Sequence, residues 1–165
     1  MILPILHYPD KRLRKIAEEV EVFDDSISVL VDDMFETMYQ APGIGLAATQ
    51  INQHKRIIVI DISEQQNEPI CLINPVITEK IGKTESEEGC LSVPDYVESI
   101  KRFESIKVDA MNQKGEHFEM DASDLLSICI QHEVDHLNGI LFVDHLSKLK
   151  QGRLIKKTKK SGKEL

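Results

Sequence analysis

Apolar residues recur at the spacing of an α-helix in two stretches of the chain. Between residues 27 and 38 they return every three or four positions, and between residues 125 and 137 they form a broader apolar surface. This periodicity predicts two amphipathic helices. For the second helix, Ser123 is a candidate N-cap and Gly139 a candidate end, since these residue types favour the two helix termini.

The sequence between these helices alternates short β-rich runs with turns. The runs are residues 57–62, 70–77, 106–111 and 117–120. The turn-forming segment 112–115 predicts that the last two runs form a hairpin. Strands followed by a helix that packs on them indicate an α+β domain. We expect antiparallel or mixed strands packed around the second helix, with a further helix at the C terminus.

Length and composition fit one domain. The chain has 165 residues, and it contains no repeat, no low-complexity linker and no apolar run long enough to cross a bilayer. Its first residues resemble neither a signal peptide nor a transit sequence. Three cysteines favour a reducing compartment over a disulfide framework. We therefore expect a soluble, cytoplasmic protein with no membrane partner.

The sequence His-Glu-Val-Asp-His, from His132 to His136, carries the most specific chemistry. A helix places two histidines that are four residues apart on one face. They could hold one divalent ion, while Glu133 reaches a water molecule on that ion. Both histidines share their stripe with apolar residues, so they face an interior in which unpaired polar groups are costly. The motif therefore indicates a hydrolytic metal site.

Catalytic sites of this kind usually have three protein ligands, and the common peptidase patterns do not supply the third. The metzincin pattern requires a third histidine six residues after the second, where this chain has Phe142. The thermolysin-like pattern requires a downstream glutamate, and Glu164 in the lysine-rich tail is the only one after the motif. The third ligand is therefore expected upstream.

Cysteine is the natural candidate for the missing ligand. Cys129 shares the helix, but its short thiol points away from an ion held between the histidines. Cys71 lies in a compact apolar run that predicts a buried strand. Cys90 is flanked by a glycine and a proline that indicate a strand edge. That segment fits a buried edge cysteine equally well, and the missing ligand favours metal binding.

Residues 43–50 form a glycine-rich segment with the sequence Gly-Ile-Gly-Leu-Ala-Ala-Thr-Gln. Its glycines also fit a dinucleotide-binding fingerprint, but that fingerprint follows a strand and opens a helix. Here an amphipathic helix precedes the segment and a strand follows it. We instead expect the glycines to let a substrate backbone lie close to the chain.

Three segments together resemble the peptide deformylase family: residues 43–50, 88–92 and 131–136. They occur in the family's order, and the resemblance spans almost the whole chain. The short spacing between the first two is similar to the compact bacterial subtype. The resemblance implies a metal-dependent hydrolase that removes the formyl group from N-formylmethionyl peptides. It also implies that residues 1–147 form the catalytic domain.

The resemblance implies roles for individual residues. Three residues would supply the ligands of one divalent ion: Cys90, His132 and His136. The ion would be Fe(II) in the cell, although Zn(II), Ni(II) or Co(II) can substitute and the ligand set itself favours zinc. Glu133 would transfer the proton of a metal-activated water. The Leu91 backbone N–H and the Gln50 side-chain amide would stabilise charge on the formyl oxygen, as in an oxyanion hole.

The apolar helix face that precedes His132 predicts which first side chain of a substrate is preferred. The expected substrate-binding residues are Leu125, Ile128 and Cys129 on the helix, and Ile44 and Gly45 in the glycine-rich segment. They would form an apolar wall beside the ion, against which an unbranched side chain such as methionine gains roughly 1.5–3 kcal/mol when fully buried. The alternative is that the helix residues are simply part of the core.

Two positions depart from the family's pattern. Asp95 stands where many members have glycine, and Val97 stands where some bacterial members have an arginine that contacts the peptide. Tyr96 is a candidate for a different peptide contact. We expect these changes to affect how residues beyond the methionine are held, and to leave the metal ligands unchanged.

The C-terminal segment, residues 148–165, is a basic tail on an acidic protein. It contains eight of the 20 Lys and Arg residues and one of the 28 acidic residues. Two interpretations of this predicted helix remain open. It is either a solvated helix end or an electrostatic arm, from Lys148 to Lys163, that associates with ribosomal RNA.

Two other classes of function share the histidine pair. One is a His-Glu-x-x-His metallopeptidase that cuts internal peptide bonds, against which the thiol ligand and Gln50 argue. The other is a non-enzymatic module with a structural metal. Structural sites normally fill all four positions with protein ligands, which argues against that class.

Overall fold

The computed structural model describes residues 1–162 of the chain; Lys163, Glu164 and Leu165 of the basic tail lie outside the described residues. Within that range there are three α-helices: α1 (Asp25–Gln40), α2 (Asp124–Leu137) and α3 (Lys148–Gly162). Three short 3-10 helices accompany them: Lys11–Arg14, Ala48–Ile51 and Phe142–His145. The strands are β1 (Gly45–Ala47), β2 (Ile57–Ile60), β3 (Ile70–Ile81), β4 (Thr84–Cys90), β5 (Val93–Arg102), β6 (Ser105–Met111) and β7 (His117–Ser123).

The strands form two sheets in which neighbouring strands run antiparallel. The larger sheet has the order β1-β2-β3-β6-β7, and the smaller is the hairpin β4-β5. The four strands expected from the β-rich runs are present, and the predicted hairpin is β6-β7. The prediction of an α+β fold with a central helix and a C-terminal helix is confirmed.

The helices α1 and α2 cover opposite faces of the larger sheet. Ile58 and Ile60 of β2 belong to the core cluster that contains Ile130 of α2. Ile57 and Val59, which point the other way along the same strand, belong to the cluster that contains α1. All four β2 residues are therefore fully buried, which explains why this strand reads as an unbroken apolar run.

The ends of α2 differ in how well the sequence predicted them. Ser123 precedes the helix, but its side chain makes no capping hydrogen bond and lies 3.1 Å from the Ser105 hydroxyl instead. At the other end, Gly139 follows the last turn with a φ of 73°. A Cβ atom there would also lie 2.4 Å from the Arg14 carbonyl oxygen, so close packing and backbone conformation both require glycine.

Three strands, β1, β4 and β5, were absent from the sequence-based expectation. β1 has three residues and lies inside the glycine-rich segment. The β4-β5 hairpin is rich in charged residues, and the sequence indicated only a strand edge near Cys90. One face of the hairpin is nevertheless buried, because Ile100 and Arg102 of β5 point inward with Glu88 of β4. This hairpin carries much of the site described below.

The C-terminal helix α3 packs on the same side of the molecule as the hairpin. Leu154 is buried in a cluster with Phe142 and Val93. Lys150 forms an ion pair of 3.1 Å with Glu98 of β5. In the part of the chain from residue 1 to 162, none of the helices combines the length and apolarity that crossing a bilayer requires.

Candidate active site

The cavity lies between α2, β1 and the C-terminal end of β4. It is about 650 Å³ in volume. Cys90 from the end of β4 and His132 from α2 line the cavity, and the fully buried His136 of α2 lies next to them. The potential ligand atoms of these three side chains all lie within 4.8 Å of one another. The Cys90 Sγ is 3.3 Å from the His136 Nε2. One soft thiolate and two imidazoles at this spacing suit a transition-metal or zinc ion with an open coordination position.

A buried ion pair fixes the orientation of His132. Its Nδ1 lies 2.8 Å from Oε1 of Glu88, which leaves Nε2 free to face the cavity. Glu88 in turn accepts two hydrogen bonds from Arg102, at 2.8 and 2.9 Å. Arg102 also donates to Asp135 at 2.6 Å, which ties the hairpin back to α2. No pattern in the sequence indicated that Glu88, Arg102 and Asp135 position His132.

The charge of Glu88 is set by these partners. Burial alone would raise the pKa of its carboxyl, but the hydrogen bonds from Arg102 and His132 lower the pKa to about 2. Burial would likewise lower the pKa of Arg102, and its two carboxylate partners raise that pKa instead. The pair is therefore fully charged at neutral pH, and a carboxylate always faces His132.

The two histidines have opposite electrostatic surroundings. Burial lowers the pKa of His136 well below its usual range, and the neighbouring charge of His132 lowers it further. Burial also opposes charge on His132, but negative groups around it, Glu133 first among them, raise its pKa well above the usual range. The two imidazoles therefore differ in how strongly their surroundings favour the protonated form.

Glu133 is buried beside the ligand cluster. Its Oε1 has no hydrogen-bond partner among residues 1–162, and burial raises its pKa to about 7. A Cβ atom added at Gly45 would lie 2.5 Å from Glu133 Oε2 and 2.8 Å from Cys129 Sγ. The glycine thus makes room for the carboxylate, a reason that differs from the expected approach of a substrate backbone. A carboxyl group with this pKa can both accept and donate a proton near neutrality.

Gln50 is held rigidly with its amide nitrogen toward the site. Its side-chain oxygen accepts a hydrogen bond from the Ala47 N–H at 2.8 Å. Its nitrogen donates to the Ser92 hydroxyl at 3.0 Å and lies 3.6 Å from the Cys90 Sγ. Leu91 follows Cys90 directly and also lines the cavity. Both predicted oxyanion donors therefore lie next to the ligand cluster.

Gln131, the first residue of the third motif, holds α2 against the chain that follows β5. Its side-chain oxygen accepts from the Phe103 N–H at 3.0 Å, and its nitrogen donates to the Phe103 carbonyl at 2.8 Å. The Ser127 hydroxyl donates to the same carbonyl oxygen at 3.0 Å. These bonds fix the rotation of α2 and hence the direction of its two histidines.

The five residues expected to bind substrate all line the cavity: Ile44, Gly45, Leu125, Ile128 and Cys129. Ile44 and Leu125 are 44% and 47% exposed, which places them at the mouth, whereas Ile128 and Cys129 are buried. Leu126 and Ile130, on other faces of α2, belong to or pack against the core. The helix stripe therefore divides into a cavity wall and a core face.

The other two cysteines lie outside the ligand cluster. Burial raises the pKa of Cys129 well above its usual range, and its thiol points to the Ile44 carbonyl at 3.8 Å. Cys71 lies on β3, and burial raises its pKa to about 12. Neither thiol is easily ionised, which agrees with the sequence-based choice of Cys90.

The departures from the family pattern fall in different places. Asp95 lines the cavity and adopts a φ of 61°, a conformation that glycine adopts more readily. Tyr96 does not line the cavity. Its ring packs against Phe142, with centroids 6.1 Å apart, and its hydroxyl lies 3.3 Å from Glu98. Tyr96 shares its face of β5 with the buried Ile100 and packs into the cluster around Phe142, so the structure gives no support to the expected peptide contact.

Phe142, which occupies the metzincin ligand position, has a packing role. Its ring stacks on His132 with centroids 6.0 Å apart. It is almost fully buried and belongs to the cluster that joins α3 to the hairpin. Phe142 cannot bind a metal, but its ring packs against His132, which could.

Comparison with known proteins agrees with this geometry. The model of the polypeptide deformylase family matches residues 2–152. The chain is 56% identical over 161 residues to a peptide deformylase of Pseudoalteromonas translucida, covering 98% of this chain and 96% of that protein. It is 58% identical over 159 residues to one of Hamiltonella defensa, covering 96% and 93%.

Solved structures give the same result. The crystal structure of a peptide deformylase from Legionella pneumophila superposes with a TM-score of 0.94 at 48% identity, covering 99% of this chain and 96% of that chain. This chain therefore belongs to the polypeptide deformylase family, metallohydrolases that remove the N-formyl group from newly made polypeptides.

Proposed function

We propose that this chain removes the formyl group of N-formylmethionyl peptides with one divalent ion held by Cys90, His132 and His136. The convergence of these three side chains, from two elements far apart in sequence, is the observation that carries the proposal. When bound, the ion supplies a Lewis acid that acidifies water and polarises the formyl oxygen. The remaining chemistry falls to residues of the chain.

Glu133 is the proton carrier in this proposal. With its pKa at about 7 and its Oε1 without a partner among residues 1–162, the carboxylate is placed to take a proton from the attacking water. It then gives that proton to the departing amine, so that water and the formyl amide become formate and a free N terminus. Gly45 supports this role by leaving space for the carboxylate.

Gln50 and the Leu91 backbone N–H would stabilise the negative charge that develops on the formyl oxygen. The hydrogen bond from Ala47 and the bond to Ser92 hold the Gln50 amide before any substrate arrives. A donor that is already fixed stabilises developing charge without the cost of reorganisation. Ser92 therefore contributes by positioning Gln50.

Two unpaired strand edges frame the substrate path. Within the described residues, β1 pairs only with β2 in the larger sheet, and β4 pairs only with β5. The cavity opens between β1 and β4, so an extended peptide can add as a strand between them. Its first side chain would then lie against Ile128 and Cys129, with Ile44 and Leu125 at the rim and Gly45 beside it.

Fe(II) is the proposed ion in the cell. The ligands themselves would hold Zn(II) more tightly, so iron occupancy depends on supply as well as on the site, and Ni(II) or Co(II) can substitute. An Fe(II) ion next to the Cys90 thiolate is open to oxidation. We expect iron-loaded protein to lose activity in air, whereas nickel-loaded protein keeps it.

We also propose a bacterial cytoplasmic location and an association of the basic tail with the ribosome. Lys148, Arg153 and Lys156 are exposed on α3, whereas Leu154 is buried against the body.

Deleting the tail would therefore uncover the core, and replacing Lys148, Arg153 and Lys156 with glutamate is the better test. Salt-sensitive co-sedimentation with ribosomes should weaken while hydrolysis of a formyl tripeptide is unchanged. Ribosome binding equal to that of the native chain would refute the proposed association of the tail with the ribosome. Lys114→Glu on the β6-β7 turn is the control.

One experiment tests the central proposal. Protein purified without oxygen should release formate from formyl-Met-Ala-Ser in proportion to its metal content, and should not release acetate from the acetylated peptide. Cys90→Ala should reduce bound metal from about one ion per chain to nearly none, while Cys71→Ala retains it. Cleavage of internal peptide bonds, or full metal content in Cys90→Ala, would contradict the proposal.

A further inference from the structure

The inward side chains of β4 and the cavity face of α2 run in matched register. Cys90 contacts His136, and Glu88, two residues earlier, contacts His132, four residues earlier. Two residues of a strand advance about 6.6 Å, and four residues of a helix advance about 6 Å. The two elements therefore advance together in the same chain direction, so that each inward strand residue faces the next turn of the helix.

One step further back along β4, this spacing extrapolates to Ser86 opposite Ile128, and both residues line the cavity. Ser86 lies directly opposite Ile100 in the β4-β5 ladder and shares its face with Glu88. It is half-buried and lines the same cavity as Leu125 and Ile128. A hydroxyl group thus sits across from the apolar wall of α2, one helical turn from the ligand His132.

The Ser86 hydroxyl is not committed to the fold. Its neighbours on β4 are occupied, since Glu85 accepts a hydrogen bond from Ser99 and Glu88 accepts two from Arg102. No comparable bond is formed by the Ser86 hydroxyl with any residue from 1 to 162. A donor that faces a cavity without a protein partner is available to a ligand.

A methionine thioether cannot use this donor well, because sulfur is a weak hydrogen-bond acceptor. Methionine sulfoxide has nearly the same shape and adds a strongly accepting oxygen. In a purely apolar pocket that oxygen would lose its hydrogen bonds to water without replacement, which is costly. A hydroxyl on the facing strand supplies the replacement.

We propose that Ser86 is a specificity-determining residue that allows the first-residue pocket to accept formylmethionine sulfoxide as well as formylmethionine. The proposal rests on the placement of the first side chain against Ile128, as described under the proposed function. Its consequence is that a polypeptide whose initiating methionine has been oxidised is still deformylated.

The test compares three peptides that differ only in the first residue: formyl-Met-Ala-Ser, its sulfoxide, and formyl-norleucine-Ala-Ser as the apolar reference. kcat/KM is measured for the native chain and for Ser86→Thr and Ser86→Val, which have the same shape as each other and differ by the hydroxyl. The ratio of sulfoxide to norleucine should fall about threefold to tenfold in Ser86→Val, the range expected for one hydrogen bond. Ser86→Thr should retain the native ratio.

Ser99→Ala, on the outward face of the same hairpin, is the matched control and should leave every ratio unchanged. Equal ratios in Ser86→Thr, Ser86→Val and the native chain would overturn the inference. If the native chain hydrolysed neither formyl-Met-Ala-Ser nor the norleucine peptide, the proposed function itself would be contradicted. Failure of the Ser86 inference and failure of the proposed function are therefore distinguishable. Thermal unfolding and metal content of each variant establish that the ratios are measured on folded, loaded protein.

Discussion

α1 and α2 pack on opposite faces of one sheet and bury very different chemistry. On the α1 side, Val31, Met34 and Met38 are fully buried against apolar residues of β2. On the α2 side, buried positions include two histidines and Glu133, and the facing hairpin contributes a buried ion pair. The same sheet therefore supports a conventional core on one face and a polar site on the other.

The contrast teaches how this fold accommodates a site that is costly to bury. Each charged group on the α2 side has a partner that fixes its state, as Arg102 does for Glu88, except for Glu133. The apolar face needs no such network, because dispersion and hydrophobic burial do not depend on direction. Stability should therefore depend on the α1 face and activity on the α2 face, and the following variants test that division.

The largest effect is expected for Glu133→Gln. The amide keeps the shape of the side chain but cannot carry a proton, so kcat should fall by about a thousandfold or more while metal content is retained. Stability should be unchanged or higher, because the variant removes a buried carboxyl with an unpartnered Oε1. Formate release, metal analysis and denaturant unfolding on one preparation measure all three. Glu119→Gln, exposed on β7, should be neutral, and substantial residual activity in Glu133→Gln would require another proton carrier.

Met34→Ala on α1 should show the opposite pattern. Met34 is fully buried, so the truncation should reduce the free energy of unfolding by about 2–5 kcal/mol. At a temperature where the variant stays folded, its kcat should remain near the native value, because α1 contributes no ligand. Val29→Ala, exposed on the same helix, is the control for stability. A fall in kcat as large as that of Glu133→Gln would show that the two faces are not separable.

Glu88→Gln should give an intermediate effect on the α2 side. The variant keeps a hydrogen-bond acceptor for His132 but removes the charge that pairs with Arg102. We expect metal affinity to fall about 10- to 100-fold, as is typical when the partner of a ligating histidine is altered. Competition with a chelator measures the affinity, and Glu85→Gln on the same strand is the control. Native affinity in Glu88→Gln would show that the negative charge facing His132 is dispensable.

The sequence predicted best where structure follows local periodicity. The helices α1 and α2, four strands of the larger sheet and the candidate metal ligands could be read from spacing and motifs. Spacing could also place His132 and His136 on one face, because helix geometry is fixed over four residues. Cys90 required the missing-ligand argument and the family resemblance.

What the sequence did not predict depends on contacts between distant segments. Glu88 and Arg102 are 14 residues apart and meet only because a charged hairpin, without strong apolar alternation, brings them together. β1 has three residues, too few for a periodic signal. The direction of the Tyr96 ring, which packs against Phe142, depends on a hairpin conformation that sequence patterns do not reveal. The same hairpin places Ser86 in the cavity.

The smallest effect is expected at a polar contact between α1 and the residue that follows β2. The Tyr39 hydroxyl of α1 donates to Asp61 at 2.6 Å, and Asp61 is buried at the end of β2. Burial would raise the pKa of Asp61, but hydrogen bonds from Ser63 and Tyr39 lower it below 3.8. Burial and the bond to Asp61 raise the pKa of Tyr39 to about 12, so the hydroxyl stays protonated and can donate at neutral pH.

Tyr39→Phe should therefore reduce the free energy of unfolding by about 1 kcal/mol at pH 7, the usual net value of one hydrogen bond. A carboxyl whose pKa is lower in the folded state stabilises the fold above its unfolded pKa of about 3.9, and this contribution is lost as the pH falls through the folded value. The difference between Tyr39→Phe and the native chain should accordingly shrink below about pH 4. Urea unfolding between pH 3 and pH 7 measures it. A difference in unfolding free energy that stays constant over this range would mean that the hydroxyl acts through packing. A large loss of kcat in Tyr39→Phe would show that the α1 face of the sheet also contributes to activity.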